Sequence, residues 1–276
     1  MAGVVVLLVM GLVLGFGIGL AVKFFGAVVD PRLEKVEGML PNANCGACGF
    51  AGCADFARAL VALEAEPGKC PSCSSEAVEE ICELLGVVAE EREPKVAVVR
   101  CGGDNTKAKM AGQYNGVADC KDAVLVAGGG KGCVHGCLGL ATCARACPFG
   151  AIEITADGIA IVHDELCTGC AKCVSVCPRR LIVLAPASAP AHVYCNSPQK
   201  GAAKTKVCKA SCIGCRKCVK ASEDGQMEIK GFLAAVNYDN PPTAAVCDVC
   251  PTKCLKPASD EAASPEPEEA REVVNA

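Results

Sequence analysis

The distribution of apolar and polar positions changes character several times along this chain. From Ala2 to Val22 no residue is charged, and in a helix rising 1.5 Å per residue these positions would span roughly 31 Å, enough to cross a bilayer core. A cleaved signal peptide would carry a basic leading region, a shorter apolar core and a small-residue cleavage site, and the segment has none of these. Lys23, Arg32 and Lys35 follow the segment, so the excess of positive charge places the remainder of the chain in the cytoplasm, after a single pass through the cell membrane. Gly11, Gly15 and Gly19 fall on one helical stripe that would let another membrane helix approach closely.

Beyond the anchor, Phe24 to Leu40 is a short amphipathic connector. Ala54 to Glu66 and Ala77 to Val88 read as helices, the second with clear apolar periodicity. Glu90 to Pro94 is charged and ends in proline, which marks a linker. The period then shortens, and Ile152 to Thr155, Ile159 to Val162 and Leu181 to Leu184 read as strands, the first two joined by a turn at Asp157-Gly158. From Ala258 onward Pro, Glu, Ala and Ser alternate as in a disordered acidic tail. The pattern predicts an α+β protein with five parts: an N-terminal transmembrane helix over residues 1–25, a small helical unit over 26–93, two tandem ferredoxin-like units over 94–185 and 186–256, and the tail over 257–276.

What fills these small units is set by cysteine, of which the chain has 24, against no Trp and 4% aromatic residues. Cys167, Cys170, Cys173 and Cys177-Pro178 form a Cys-x2-Cys-x2-Cys-x3-Cys-Pro run, in which three thiolates hold one [4Fe-4S] cluster and the fourth reaches a neighbouring cluster. Structural zinc sites use two separated Cys-x2-Cys knuckles, and a disulfide scaffold of this cysteine content would be short and secreted. Free thiolates and clusters suit a reducing compartment, in agreement with the charge pattern around the anchor. At four cysteines per cluster the chain can carry at most six clusters; the motifs set a minimum of three and best support four.

Cys45, Cys48 and Cys53 lie on a Gly-rich loop, and Cys70 returns after the expected helix, so these four suit one cluster closed within the helical unit. Cys73 and Cys82 read as packing residues, Cys82 inside the periodic helix. In the first ferredoxin-like unit, cross-ligation assigns Cys133, Cys137, Cys143 and Cys177 to one cluster and Cys147, Cys167, Cys170 and Cys173 to another. Leu140 occupies the place of a cysteine in the first of these loops, and Cys133 is the upstream substitute.

A shift of 75 residues superposes Cys120, Cys133, Cys137 and Cys143 on Cys195, Cys208, Cys212 and Cys218, which indicates a duplicated unit. In the second copy Ser222 replaces the equivalent of Cys147, while Cys215 stands at the equivalent of Leu140. That copy is expected to keep a cluster on Cys212, Cys215, Cys218 and Cys250. Cys101 and Cys195 each end a short apolar strand, and they, with Cys120, Cys208, Cys247 and Cys254, stay open between packing roles and extra clusters.

Other chemistry finds little support. A net charge of −4 argues against nucleic-acid binding. Gly128-Gly129-Gly130-Lys131 lacks the phosphate-loop frame, and three histidines offer no nucleophile and base pair. His135, His163 and His192 read as surface or packing residues. Clusters in series carry electrons and leave organic substrates unchanged.

The anchor, the loop from Asn44-Cys45-Gly46 to Gly52-Cys53, and Gly136-Cys137-Leu138-Gly139 running on to Cys147-Pro148-Phe149-Gly150-Ala151-Ile152 together resemble the B subunit of the Rnf complex, an ion-translocating ferredoxin:NAD oxidoreductase. The resemblance implies a membrane-anchored polyferredoxin that takes electrons from soluble ferredoxin and passes them to other membrane subunits. Those subunits would reduce NAD and translocate Na+ or H+. Leu140 and the second ferredoxin-like unit depart from the shorter form of that family.

Overall fold

A computed structural model describes residues 2–25, 30–88 and 92–258. The acidic tail beyond residue 258 and part of the charged linker, residues 89–91, lie outside the described residues. Helix α1, Ala2–Phe25, contains a 19-residue apolar stretch, Gly3–Ala21, whose mean hydropathy of 2.7 and length suffice to cross a membrane. None of that stretch is buried among the described residues. A methyl group added at Gly11, Gly15 or Gly19 would meet only open space, so their stripe faces away from every described residue.

The helical unit is built from α2, Pro31–Met39, α3, Cys53–Val61, and α4, Ser75–Leu85. Asp30 caps α2 by accepting from the Arg32 amide, and Ser74 caps α4 by accepting from the Ala77 amide. Helix α3 is shorter than its apolar pattern predicts: it stops at Val61, Leu63 takes a positive φ of 59°, and a 3-10 turn at Pro67–Lys69 brings the chain back to Cys70. Helix α4 ends at Leu85 because Gly86 adopts the left-handed conformation of a C-terminal cap. Val36, Phe56, Leu60 and Ile81 form a core that also contains Cys48, Cys53 and Cys70.

Two further cores follow, each built on paired two-stranded antiparallel sheets. In the first half, β1, Lys95–Val99, pairs with β4, Ile182–Pro186, enclosing the hairpin of β2, Ile152–Ile154, and β3, Ala160–Val162. In the second half, β5, Ala191–Val193, pairs with β8, Leu255–Pro257, around the hairpin of β6, Met227–Lys230, and β7, Leu233–Val236. The same first-with-last strand order in both halves is the duplicated topology behind the internal repeat. The halves are stitched together where the Lys109 amide donates to Val207 O at 2.8 Å and the Lys209 amide donates to Lys107 O at 2.9 Å.

Short helices carry the cysteine loops: α5, Cys120–Leu125, α6, Thr142–Arg145, and α7, Lys172–Val176, in the first half, and α8, Gly201–Val207, and α9, Lys217–Ala221, in the second. Three of these helices are entered by the same turn. Ala141, Ala171 and Arg216 precede α6, α7 and α9 with φ near 60°, and Gly139, Gly169 and Gly214 stand two residues earlier, also with positive φ. The backbone therefore puts Leu140, Cys170 and Cys215 at one equivalent position.

Candidate metal centres

In the helical unit, the Asn44 side chain organises the first cysteine loop by accepting from the Cys53 amide at 2.8 Å. A Cβ at Gly52 would stand 2.7 Å from that same oxygen, so glycine is what lets Asn44 reach across. Cys48, Cys53 and Cys70 are buried in one core, Cys45 is half-buried, and Cys45 and Cys48 both act electrostatically on the Cys70 thiol. Cys73 packs against this core too, where burial and then its neighbour Cys70 push its thiol up to about 11.

Cys147, Cys167, Cys170 and Cys173 surround one cavity in the first half together with Ala97, Phe149 and Ile152. The Ala97 amide donates to Cys167 Sγ at 3.3 Å. Burial, followed by the charges of Cys167, Cys170 and Cys147, pushes Cys173 up to about 12. A thiol so placed is protonated at neutral pH unless a metal displaces the proton. This cavity abuts the helical unit: Ser72 Oγ lies 2.9 Å from Thr168 Oγ1 and 3.9 Å from Cys45 Sγ, and Cys45 acts electrostatically on Cys170.

A second cavity of the first half brings together Cys137, Cys143 and Cys177, as the spacing predicts, but its fourth cysteine is Cys120. Cys133, expected here, lies elsewhere. The Asp119 carboxylate explains the difference. It accepts from the Lys121 amide at 2.8 Å as the N-cap of α5, and from Thr142 Oγ1 at 3.1 Å and Arg145 at 3.3 Å on α6. The Cys120 amide in turn donates to Thr142 Oγ1 at 2.7 Å, so the start of α5 is tied to the helix that carries Cys143. These bonds, led by that from the Lys121 amide, hold the Asp119 carboxyl below the usual range. Burial pushes Cys143 up to about 12.

Cys212, Cys215, Cys218 and Cys250 line one cavity of the second half, as expected, and Cys254 joins them. Cys254 Sγ is 3.8 Å from Cys250 Sγ. Its thiol is raised, and by hydrogen bonding it lowers Cys212 to about 5 and Cys250 to about 4. Cys247 is buried in the core beside them. Cys101, Cys133, Cys195 and Cys208 line a further cavity at the seam between the halves.

Sequence spacing alone overlooks Cys120 as the partner of Cys143. Its only signal is that Leu140 demands a substitute from upstream, where Cys120 and Cys133 compete, and sequence proximity favours Cys133, which lines the other cavity. Among the described residues no three His, Cys, Asp or Glu groups converge on a point that would hold a single metal ion. The cysteines ring cavities instead, and backbone amides aim at several sulfurs, including that of Leu181 at Cys177 Sγ, 3.4 Å away. Such N–H···S bonds are among the protein's means of tuning cluster potentials.

Comparison with known proteins agrees with this geometry. Residues 40–72 match the Fe-S cluster family model, and residues 131–182 match the 4Fe-4S dicluster domain. The B subunit of the ion-translocating oxidoreductase complex of Methanosarcina acetivorans is 38% identical over 248 residues, covering 88% of this chain and 94% of the relative. The B subunit of the Na(+)-translocating ferredoxin:NAD(+) oxidoreductase complex of Acetobacterium woodii is 38% identical, covering 90% and 74%. The proton-translocating counterpart from Clostridium ljungdahlii is also 38% identical, covering 91% and 90%. With cysteine-ringed cavities where the family models match and relatives aligned across nearly the whole chain, the protein belongs to the B-subunit family of the Rnf-type ion-translocating oxidoreductase complexes, as an electron-transfer subunit.

Proposed function

We propose that this chain, held in the membrane by α1, takes electrons from reduced ferredoxin on the cytoplasmic side and delivers them to membrane subunits that couple NAD reduction to Na+ or H+ translocation. Four cysteine sets would hold [4Fe-4S] clusters: Cys45, Cys48, Cys53 and Cys70; Cys147, Cys167, Cys170 and Cys173; Cys120, Cys137, Cys143 and Cys177; and Cys212, Cys215, Cys218 and Cys250. When bound, each cluster supplies a centre that gains and loses one electron with little nuclear rearrangement. The relatives from Acetobacterium woodii and Clostridium ljungdahlii, named for ferredoxin, NAD and an ion, support the donor, the acceptor and the coupling.

The observation that carries this reading is the contact of Ser72 with Thr168, which brings the Cys45 loop beside the Cys170 loop. The chain's own residues thereby form an unbroken path from the unit next to the anchor into the ferredoxin-like halves. Amides aimed at sulfur hold several of the sulfurs in place. Replacing Cys170 with Ser in the assembled complex should remove about four irons per chain and abolish ferredoxin-driven NAD reduction. Full iron content with unchanged turnover would overturn the proposal, as would a zinc-loaded wild-type protein without sulfide.

A further inference from the structure

The cavity at the seam between the halves lies outside the four cysteine sets assigned above, yet it too is ringed by four cysteines. Cys101 and Cys133 come from the first half, Cys195 and Cys208 from the second. Each half contributes the same two positions. Cys101 and Cys195 stand two residues after β1 and β5, the strands that pair with the last strand of their half. Cys133 and Cys208 stand four residues before Cys137 and Cys212. The thiols are within electrostatic reach of one another across the seam, Cys133 and Cys195 both acting on Cys208.

Two other features of the cavity point to an occupant. Gly103 lines it, and a Cβ there would stand 2.8 Å from Cys208 Sγ and 3.9 Å from Cys101 Sγ, so a side chain would close the gap between sulfurs of opposite halves. Lysines from both halves are buried beside it, Lys131 at 4% exposure and Lys204 at 1%. Lys131 Nζ donates to Gly103 O at 3.0 Å, and Lys204 Nζ to Ser197 O at 3.1 Å and Phe232 O at 2.7 Å. Among the described residues neither forms an ion pair with a carboxylate. A buried ammonium is costly without compensating negative charge, and a thiolate-ligated cluster would provide that charge for both.

We infer that Cys101, Cys133, Cys195 and Cys208 bind a fifth [4Fe-4S] cluster shared symmetrically by the two halves, which relays electrons between them. The inference rests on the reading of this chain as an iron–sulfur electron carrier. The seam site touches a neighbouring site on either side. The Cys137 amide donates to Cys101 Sγ at 3.2 Å, and Arg179, which lines the Cys120–Cys143 cavity, donates to Cys133 O at 2.8 Å. On the far side Cys195 shares a core with Cys212 and Cys218, and the Lys204 charge acts on Cys212. Cys137, Cys147, Cys173 and Cys177 share one core, so the sets form a series: helical unit, Cys147 set, Cys120 set, seam, Cys212 set. Transfer through the seam moves one electron in and one out; no bond is made or broken and no proton is transferred.

The test is anaerobic reconstitution of the full chain, with iron, sulfide and zinc analysis and redox titration followed by electron paramagnetic resonance. Wild type should bind about 20 irons and 20 sulfides, against about 16 in Cys195→Ser and in Cys133→Ser. Lys131→Met, which keeps all four thiols, should leave iron unchanged and shift one cluster's midpoint potential downward, because a nearby positive charge favours the more negative reduced state. About 16 irons in wild type with no loss in either serine variant would overturn the seam cluster while leaving the electron carrier intact. One zinc beside about 16 irons would likewise overturn it. A wild type without iron and sulfide would sink both readings.

Discussion

The two ferredoxin-like halves share a strand order, a loop turn and the seam position of two cysteines, yet they ring their cavities with cysteine differently. Between Cys101 and Cys133 the first half has 32 residue steps, while the second half has 13 between Cys195 and Cys208. The longer segment of the first half carries α5 and Cys120. It brings the Cys120 thiol to the cavity whose loop has Leu140, and the second half, which keeps Cys215 at the equivalent position, has a segment 19 residues shorter. What has to be preserved is a cage with four sulfurs around it, and the chain can deliver a sulfur from any backbone that reaches the wall. The comparison also separates two kinds of loss. Where the first half has Leu140 in place of a sulfur, its cavity is lined by Cys120, whereas Ser222, at the equivalent of Cys147, turns its hydroxyl to Val219 O.

The strongest test of this comparison exchanges the two solutions. Cys120→Ser should cost about four irons per chain and stop electron flow through the complex. Leu140→Cys in the same background should restore both, because Leu140 sits on the turn that places Cys170 and Cys215. Iron analysis and ferredoxin-driven turnover read the result. Full iron content in Cys120→Ser would break the proposed set and return Cys133 to it.

Much of this arrangement was legible in the sequence, and the reasons differ by region. The Cys-x2-Cys-x2-Cys-x3-Cys-Pro run fixes its own geometry because all of its cysteines lie on one short turn and helix, so Cys147, Cys167, Cys170 and Cys173 meet as spacing predicts. The loop from Cys45 to Cys53 is equally local. Cys120 is different: its place depends on its amide donating to Thr142 Oγ1, which in turn donates to Asp119, residues 23 apart that no periodicity links. The seam was hidden because the shift of 75 residues aligns Cys195 with Cys120, whereas the strand pairing makes Cys195 the counterpart of Cys101. An insertion inside the first repeat, between Cys101 and Cys133, displaces the register that a sequence comparison relies on. The strands of the first half are recovered to within about two residues, but the partner of β4 is β1, whose pairing is a tertiary choice.

A milder test weighs how tightly each loop is packed. A Cβ at Gly139 would stand 2.5 Å from Gly158 O, while one at Gly214 would stand 3.0 Å from Phe232 O, and both residues have positive φ. Alanine at either position incurs the left-handed conformational cost of about 1–2 kcal/mol. Gly139→Ala adds overlap with rigid backbone, so it should destabilise by about 2–5 kcal/mol and Gly214→Ala by about 1–2 kcal/mol. Thermal loss of visible cluster absorbance would rank them, and equal losses would mean that the two loops are packed alike.

The smallest difference lies on the strands themselves, where the position of Val98 in β1 is taken by His192 in β5. His192 is 3% exposed, its Nδ1 lies 3.1 Å from Tyr238 Oη, Tyr194 packs edge-on to its ring, and Lys256 is its cross-strand neighbour. Burial lowers its pKa from 6.5 to about 4, so the folded chain keeps it neutral where the unfolded chain binds a proton. Between those two values the unfolded state holds more protons, and stability must rise with pH. The contribution is complete above about 6.5 and is lost as the pH falls toward about 4, amounting to about 1 kcal/mol already at about pH 5.5. His192→Val removes the hydrogen bond to Tyr238 at every pH, which shifts the whole curve, but it should also flatten the slope in this window. Denaturant unfolding of both proteins between these pH values distinguishes the two effects, and an unchanged slope would show that His192 exchanges protons as freely in the folded chain as in the unfolded one.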